Sequence, residues 1–336
     1  MPFLRAILVR LFTTAITLAG VAVIVFVVIR VVPGNPIAMM LPPGATDADI
    51  ARLSALYGLD KPLPAQFGIW LSGVMQGDFG TSITTRQPVL GLVLGRLPAT
   101  LELSLMALAI AVLLGGAAAL AGTRARGTRT EGAIDIANGM ALSVPDFLWG
   151  LLLILLFGVL IPVFHISGRV TPSLDLPFTT NFYLIESILR LRLDLTADLL
   201  GHMFMPALAL AIPLAAIIGQ LLKQSLKEVM NLDYVTLART KGYGETHVIL
   251  HQALRNAVLP TLTLVGVQFT FLIGGTVIIE RLFSYEGLGN MAIDAVINRD
   301  LPLIQGIVIL FAVIFTAVNL IVDLLYAVLN PRLRHA

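Results

Sequence analysis

The sequence predicts an all-α polytopic membrane protein, and three observations carry that expectation. Of its 336 residues, 57% are hydrophobic and only 12% are charged, against about 25% charged in an ordinary soluble domain. Uncharged runs of about 20 residues, long enough to cross roughly 30 Å of hydrocarbon, recur along the chain. Basic residues gather in alternate connecting segments, the pattern of loops retained on the cytoplasmic side.

Six transmembrane helices follow from these runs: Leu11 to Ile29, Leu103 to Gly122, Ile136 to Pro162, Leu199 to Leu222, Asn256 to Ile279 and Leu301 to Val322. Arg5 and Arg10 precede the first run. It is too long for a signal-peptide core and no A-x-A site follows, so it reads as a retained anchor. Arg124, Arg126 and Arg129 fall between spans two and three. Lys223, Lys227, Arg239, Lys241 and Arg255 fall between four and five, and Arg332 and Arg334 close the chain. All these segments lie on one side, which makes both termini cytoplasmic. The organisation is therefore an N-terminal tail and first span (1–30), an extracytoplasmic segment (31–98), a five-helix core (99–328) and a cytoplasmic tail (329–336).

Within the extracytoplasmic segment, Thr46 caps a helix that runs to about Tyr57 and stops at Gly58. A second short helix is expected from Ala65 to Met75, with Phe67, Trp70, Leu71 and Val74 on one face. Residues from Val163 to Asp198 form another irregular outer region, in which Leu184 to Leu193 suits a helix lying at the interface.

Ionisable groups in a membrane are functional candidates by default, and here they are few: Asp146, His202, Glu280 and Asp323. Only Asp146 falls deep within a run. Its carboxylate either caps a helix restarted by Pro145 or lines a wet pathway. Asn138, Gln220, Gln268 and Asn319 suit interhelical hydrogen bonds. Asn138, Ser143, Asp146 and Gln268 are the candidate pathway residues. No catalytic residue is assigned. The chain has no cysteine, hence no thiolate metal site, and no metal ligand set is expected.

The motifs G-x-x-x-x-G-K-[ST], H-E-x-x-H and G-x-S-x-G are all absent, which removes a phosphate-cradling loop and two common hydrolase constellations. If transport is active, a partner must supply the energy. Moving a two-state gate from 1:99 to 99:1 takes about 5.5 kcal/mol of differential binding, which a docked motor subunit can deliver.

A docking element is visible in the polar insert between spans four and five. From Gln220 the sequence keeps apolar residues at Leu222, Leu226, Val229, Met230, Tyr234, Leu237 and Ala238, spacings of three and four. Asp233 to Lys241 suits a helix about 14 Å long. Gly242 supplies a left-handed cap, Gly244 loosens the chain, and Glu245 starts a second helix toward Asn256. Pro260 is expected in the first turn of span five. Small Ala238 allows close approach, and Arg239 and Lys241 offer charge. A basic amphipathic hairpin resting on anionic lipid is the plainer reading of the same pattern.

The residues themselves favour the first reading. ARTKG at 238–242 with HQALRNAVLP at 251–260 resembles the cytoplasmic coupling loop of ABC importer permeases. GDFGTS at 77–82, QPV at 87–89, RLPATLELSL at 96–105, ALSVPDFLWGLLL at 141–153, IIERLFSYEGLGNMAIDAVINRDLPLIQG at 278–306 and NPRLR at 330–334 look like its dipeptide/oligopeptide branch. The insert departs from that pattern at Gln252, where the family often has histidine, and at its opening residues.

The resemblance implies a type I ABC importer permease fold and one membrane subunit of a bacterial inner-membrane peptide importer. It implies as partners a second, related permease subunit, two ABC ATPase subunits that bind ATP and Mg, and an extracytoplasmic binding protein delivering a peptide substrate. No cofactor is expected in this chain. It also implies a coupling role for Leu237, Ala238, Arg239, Thr240, Lys241, Gly242, Tyr243 and Gly244. Glu280 and Arg281 suit salt bridges that change during gating, or an interface anchor. An ion-driven carrier would call for paired inverted repeats, which the sequence lacks.

Overall fold

The computed structural model describes residues 2–31, 46, 48, 60–174, 176 and 178–329. Apart from residues 46 and 48, the helix expected from Thr46 to Tyr57 lies outside the described residues, as do the NPRLR tail and the side chain of Asp323. Among the described residues the regular structure is helical, with one isolated bridge between Thr81 and Pro88. We number the helices α1 (Pro2–Val31), α2 (Leu63–Met75), α3 (Val89–Arg124), α4 (Arg129–Ser143), α5 (Asp146–Leu153), α6 (Tyr183–Leu189), α7 (Leu193–Val229), α8 (Asp233–Thr240), α9 (Glu245–Leu282), α10 (Leu288–Ile297) and α11 (Leu301–Leu329).

By length and composition α3, α7, α9 and the Leu301–Val322 stretch of α11 can each cross a membrane, and α4 with the α5 region makes a fifth if that bent pair is one span. The run expected as one span, Ile136 to Pro162, is not one continuous helix. It breaks at Val144–Pro145 and turns by 101°, because proline removes an amide donor and holds the residue before it in an extended conformation. Beyond Leu153 the chain continues as a π-helical turn, Ile154–Leu160.

The chain divides into two compact units. In the first, residues 1–97 and 291–317, α2 presents the face expected of it: Phe67 and Trp70 pack with Phe26 of α1 at ring-centre distances of 5.2 and 5.7 Å. Here also GDFGTS folds onto NRDLPLIQG. Asp300, fully buried, accepts from the Ser82 hydroxyl at 2.5 Å, the Thr84 amide at 3.0 Å and the Leu303 amide at 3.3 Å. Gly306 leaves room for Val89, whose methyl a Cβ there would overlap.

The second unit, residues 98–290 and 318–336, is organised around α7, of whose most apolar window 67% is buried, against 33% or less for the other candidate spans. Ala99, Leu103, Ala107 and Ala111 recur every four residues on α3 and join the Met203–Ile218 face of α7 and Leu272 and Ile279 of α9 in one core. Gly115 lies against the α7 backbone at Ala215 and Gly219, the close approach that small residues permit where lipid gives no hydrophobic drive. Asn319 bonds Thr270 across two helices at 3.3 Å, as expected of it, whereas Gln220 is exposed.

Glu102 and Glu280 are buried acids whose partners the sequence did not reveal. The α3 helix begins well before Leu103, so Glu102 lies inside it, paired with buried Arg169 at 2.8 Å and accepting the Leu184 and Ile185 amides. Glu280 is fully buried rather than a gating ion pair with Arg281. It accepts the Thr100 hydroxyl at 2.7 Å and the Asn290 amide at 3.0 Å, while Arg281 donates to Asn290 Oδ1 at 3.0 Å. A Cβ on Gly287 would overlap the Glu280 carboxylate, so YEGLGN is a loop wrapped round an acid.

Candidate functional site

The polar insert folds as helix, hinge, helix. Met230 to Leu232 turn out of α7, and Asp233 opens α8 with an acidic residue at the positive helix end. Lys241 caps the helix, and Gly242 follows at φ +85°, a left-handed conformation that side chains with a Cβ resist. Gly244 is extended and Glu245 begins α9. The second helix does not stop near Asn256: it passes through a π-helical turn, Val248–Ala253, straight into the span, so Pro260 lies inside the helix rather than in its first turn.

The turn at Met230–Leu232 also rotates the apolar register. Leu222, Leu226 and Met230 are buried as the periodicity requires, but Tyr234 and Leu237 are exposed, and Val235, which the periodicity passes over, is fully buried. Val235 and Ala238 seat α8 on Leu226, Met230, Val248, Ile249 and Ala253. Ala238 therefore packs against its own chain. Leu237, Arg239, Thr240, Lys241, Gly242, Tyr243 and Gly244 are all exposed. The apolar surface that α8 turns outward is large, with Leu237 55% and Tyr234 37% accessible.

Polar contacts hold this geometry. Arg239 grips Glu245 across both hinge glycines with bonds of 2.8 and 3.1 Å, and the hydrogen bond to Glu245 raises the guanidinium above its ordinary value. Asn256 of α9 donates to the Tyr234 hydroxyl at 2.7 Å. Tyr243, His247 and His251 stack in a column with ring centres 4.7 and 4.3 Å apart. At the end of α7, Lys223 ties to Glu131 and Asp135 of α4 at 2.8 and 2.7 Å. A cavity of about 250 Å³ is lined by Arg124, Arg126, Lys223, Lys227 and Arg239 together with Glu131 and Glu245. α8 is thus a short helix ended by a left-handed glycine, with apolar residues on its outward face and one ion pair across the hinge.

The four candidate pathway residues are less gathered. Asn138 and Ser143 lie on α4, half-buried and exposed respectively, and Ser143 spends its hydroxyl on the Gly139 carbonyl at 2.8 Å. Asp146 is half-buried at the start of α5, where it accepts the Phe147 amide at 2.7 Å. Gln268 stands half-buried on α9, and among the described residues no hydrogen bond joins it to the other three.

Comparison with known proteins identifies the family. The family described as binding-protein-dependent transport system inner membrane component matches residues 111–335, and its N-terminal companion matches residues 3–104. The di/tripeptide transport system permease protein DppB of Pseudomonas aeruginosa is 37% identical, with 95% of each chain covered. The dipeptide transport system permease protein DppB of Escherichia coli K12 is 38% identical, and the glutathione transport system permease protein GsiC of Salmonella choleraesuis 35%, each with 99% of both chains covered. The chain is thus a member of the family of inner-membrane components of binding-protein-dependent transport systems.

Proposed function

We propose that this chain is one of two permease subunits of an ATP-driven importer for di- or oligopeptides. The observation that carries the coupling half of this reading is α8, seated by Val235 and Ala238 and turning Tyr234, Leu237 and Lys241 outward beside a left-handed glycine. Its peptide half rests on the similarity to two di- and tripeptide permeases across 95–99% of the chain. The glutathione permease favours a second reading of the substrate, itself a tripeptide.

In this account α1 and the bent α4–α5 pair each count as one crossing, giving six with α3, α7, α9 and α11. Both termini, α8 and the hinge are cytoplasmic, and the fold is that of a type I importer permease. Separate ATPase subunits bind ATP with Mg, close on each other and push α8. The push travels along α7 and α9 to open the chain's interface with a second, related permease. An extracytoplasmic binding protein delivers the peptide.

The test is co-purification with its ATPase subunits in nanodiscs and measurement of uptake alongside hydrolysis. Gly242→Val should leave insertion intact, while uptake falls at least tenfold and hydrolysis no longer follows substrate. Gly242→Asn, which tolerates the left-handed region, should keep most uptake. Undiminished uptake by Gly242→Val would remove the coupling assignment.

A further inference from the structure

Sequence reading left His202 as a lone histidine near the start of a span. In the structure it has company. His165, from the loop after the π-helical turn, stacks on His202 with ring centres 3.9 Å apart and planes within 6°. Asp198, one turn earlier on α7, brings its carboxylate 3.5 Å from His202 Nδ1. One ligand atom from each of His165, Asp198 and His202 lies within 4.8 Å of the others.

The groups around this cluster hold it in place. The His202 ring sets Nδ1 2.9 Å from the Asp198 carbonyl, which can only accept. The ring proton is thereby assigned to Nδ1 and the Nε2 lone pair is left for a ligand, the usual arrangement of a metal-bound imidazole. Asp198 is oriented by the Thr171 amide at 2.9 Å and the Thr171 hydroxyl at 2.6 Å. The loop carrying His165 is tied down by the Gly168 amide on the Phe283 carbonyl at 2.9 Å and by the Arg169–Glu102 pair. Gly201 leaves room beside His165, whose Nδ1 would stand 3.3 Å from a Cβ there.

We infer that His165, Asp198 and His202 bind one divalent cation of the zinc type. Two imidazoles and one carboxylate suit a borderline metal and not magnesium or calcium, which take oxygen ligands. Ligand atoms round a tetrahedral zinc, with bonds of about 2.0–2.1 Å, stand about 3.4 Å apart. Closing from 4.8 Å or less asks for exposed His165 to turn out of its stack on His202. Three protein ligands leave a fourth position to water. The bound ion cross-links the loop to α7.

The test is zinc titration by calorimetry of the full chain without an affinity tag, in nanodiscs, with cobalt absorption as a second reading of geometry. The absence of cysteine removes thiolate competitors. One saturable equivalent is expected, with a cobalt spectrum of tetrahedral intensity. His165→Ala, at an exposed position, should weaken binding by roughly tenfold or more, and Asp198→Asn should do the same while the protein still inserts. A His247→Ala/His251→Ala/His335→Ala variant, which removes every other histidine, should bind as before. The inference is overturned if no saturable equivalent binds, if His165→Ala binds unchanged, or if the triple variant abolishes binding.

Discussion

Glu245 and Glu280 stand at the two ends of α9, and the chain uses them differently. Glu245 is 44% accessible in its side chain and meets Arg239 in an ion pair over the hinge. Glu280 has no accessible surface and is held by a hydroxyl and an amide inside a glycine-rich loop. Water screens the first pair, so its worth lies in geometry and little in energy. No water reaches the second, so each donor facing it would be left unpaired if it were removed. One helix thus has a working end and an anchored end.

The sharpest way to break this contrast is Glu280→Ala. It strips the Thr100 hydroxyl and the Asn290 amide of their acceptor, at roughly 1–3 kcal/mol for each buried group. Thermal unfolding in detergent should shift down by many degrees, or the protein should fail to accumulate. Next comes Gly242→Val, where forcing a Cβ into φ +85° costs about 1–2 kcal/mol. Stability should fall modestly, and coupling severely.

Arg239→Ala removes an exposed pair worth about 0.2–1 kcal/mol. Unfolding should hardly move, while transport by the wild type, unlike that of the variant, should weaken with added salt. If Arg239→Ala destabilised as much as Glu280→Ala, the contrast between the two ends would be lost.

Glu186 sharpens the comparison from a third position. The Thr180 hydroxyl and Thr179 amide hold its carboxyl at about 2, below its ordinary value near 4.5. A depressed carboxyl contributes stability above its unfolded value and loses it as pH falls through the folded one. The contribution should therefore vanish between about pH 4.5 and pH 2, and Glu186→Gln should flatten the pH dependence of unfolding in that window.

Much of this contrast was legible in the sequence at the working end and little at the anchored end. Gly242 and Gly244 announce a cap and a hinge through backbone physics alone, and Asp233 and Glu245 announce helix starts. The face of α2 at Phe67, Trp70, Leu71 and Val74 was equally readable, because period and packing agree there. Val235 was missed because the Met230–Leu232 turn shifts the register between two helices that share one apparent stripe. Glu102, Glu280 and Asp300 were missed as buried acids because their partners lie far off in sequence: Arg169, Thr100 and Ser82. His165 escaped for the same reason, whereas Asp198, one helical turn before His202, stood within reach of an i, i+4 reading.

The claim on which most depends is that the outward face of α8 is gripped by an ATPase subunit. The chain has no cysteine, so single cysteines report without background. Leu237→Cys, on the exposed face, should cross-link to the ATPase in membranes, and Val235→Cys, fully buried beside it, should not. Transport-competent protein in which Leu237→Cys meets only lipid reagents and never the ATPase would contradict the account.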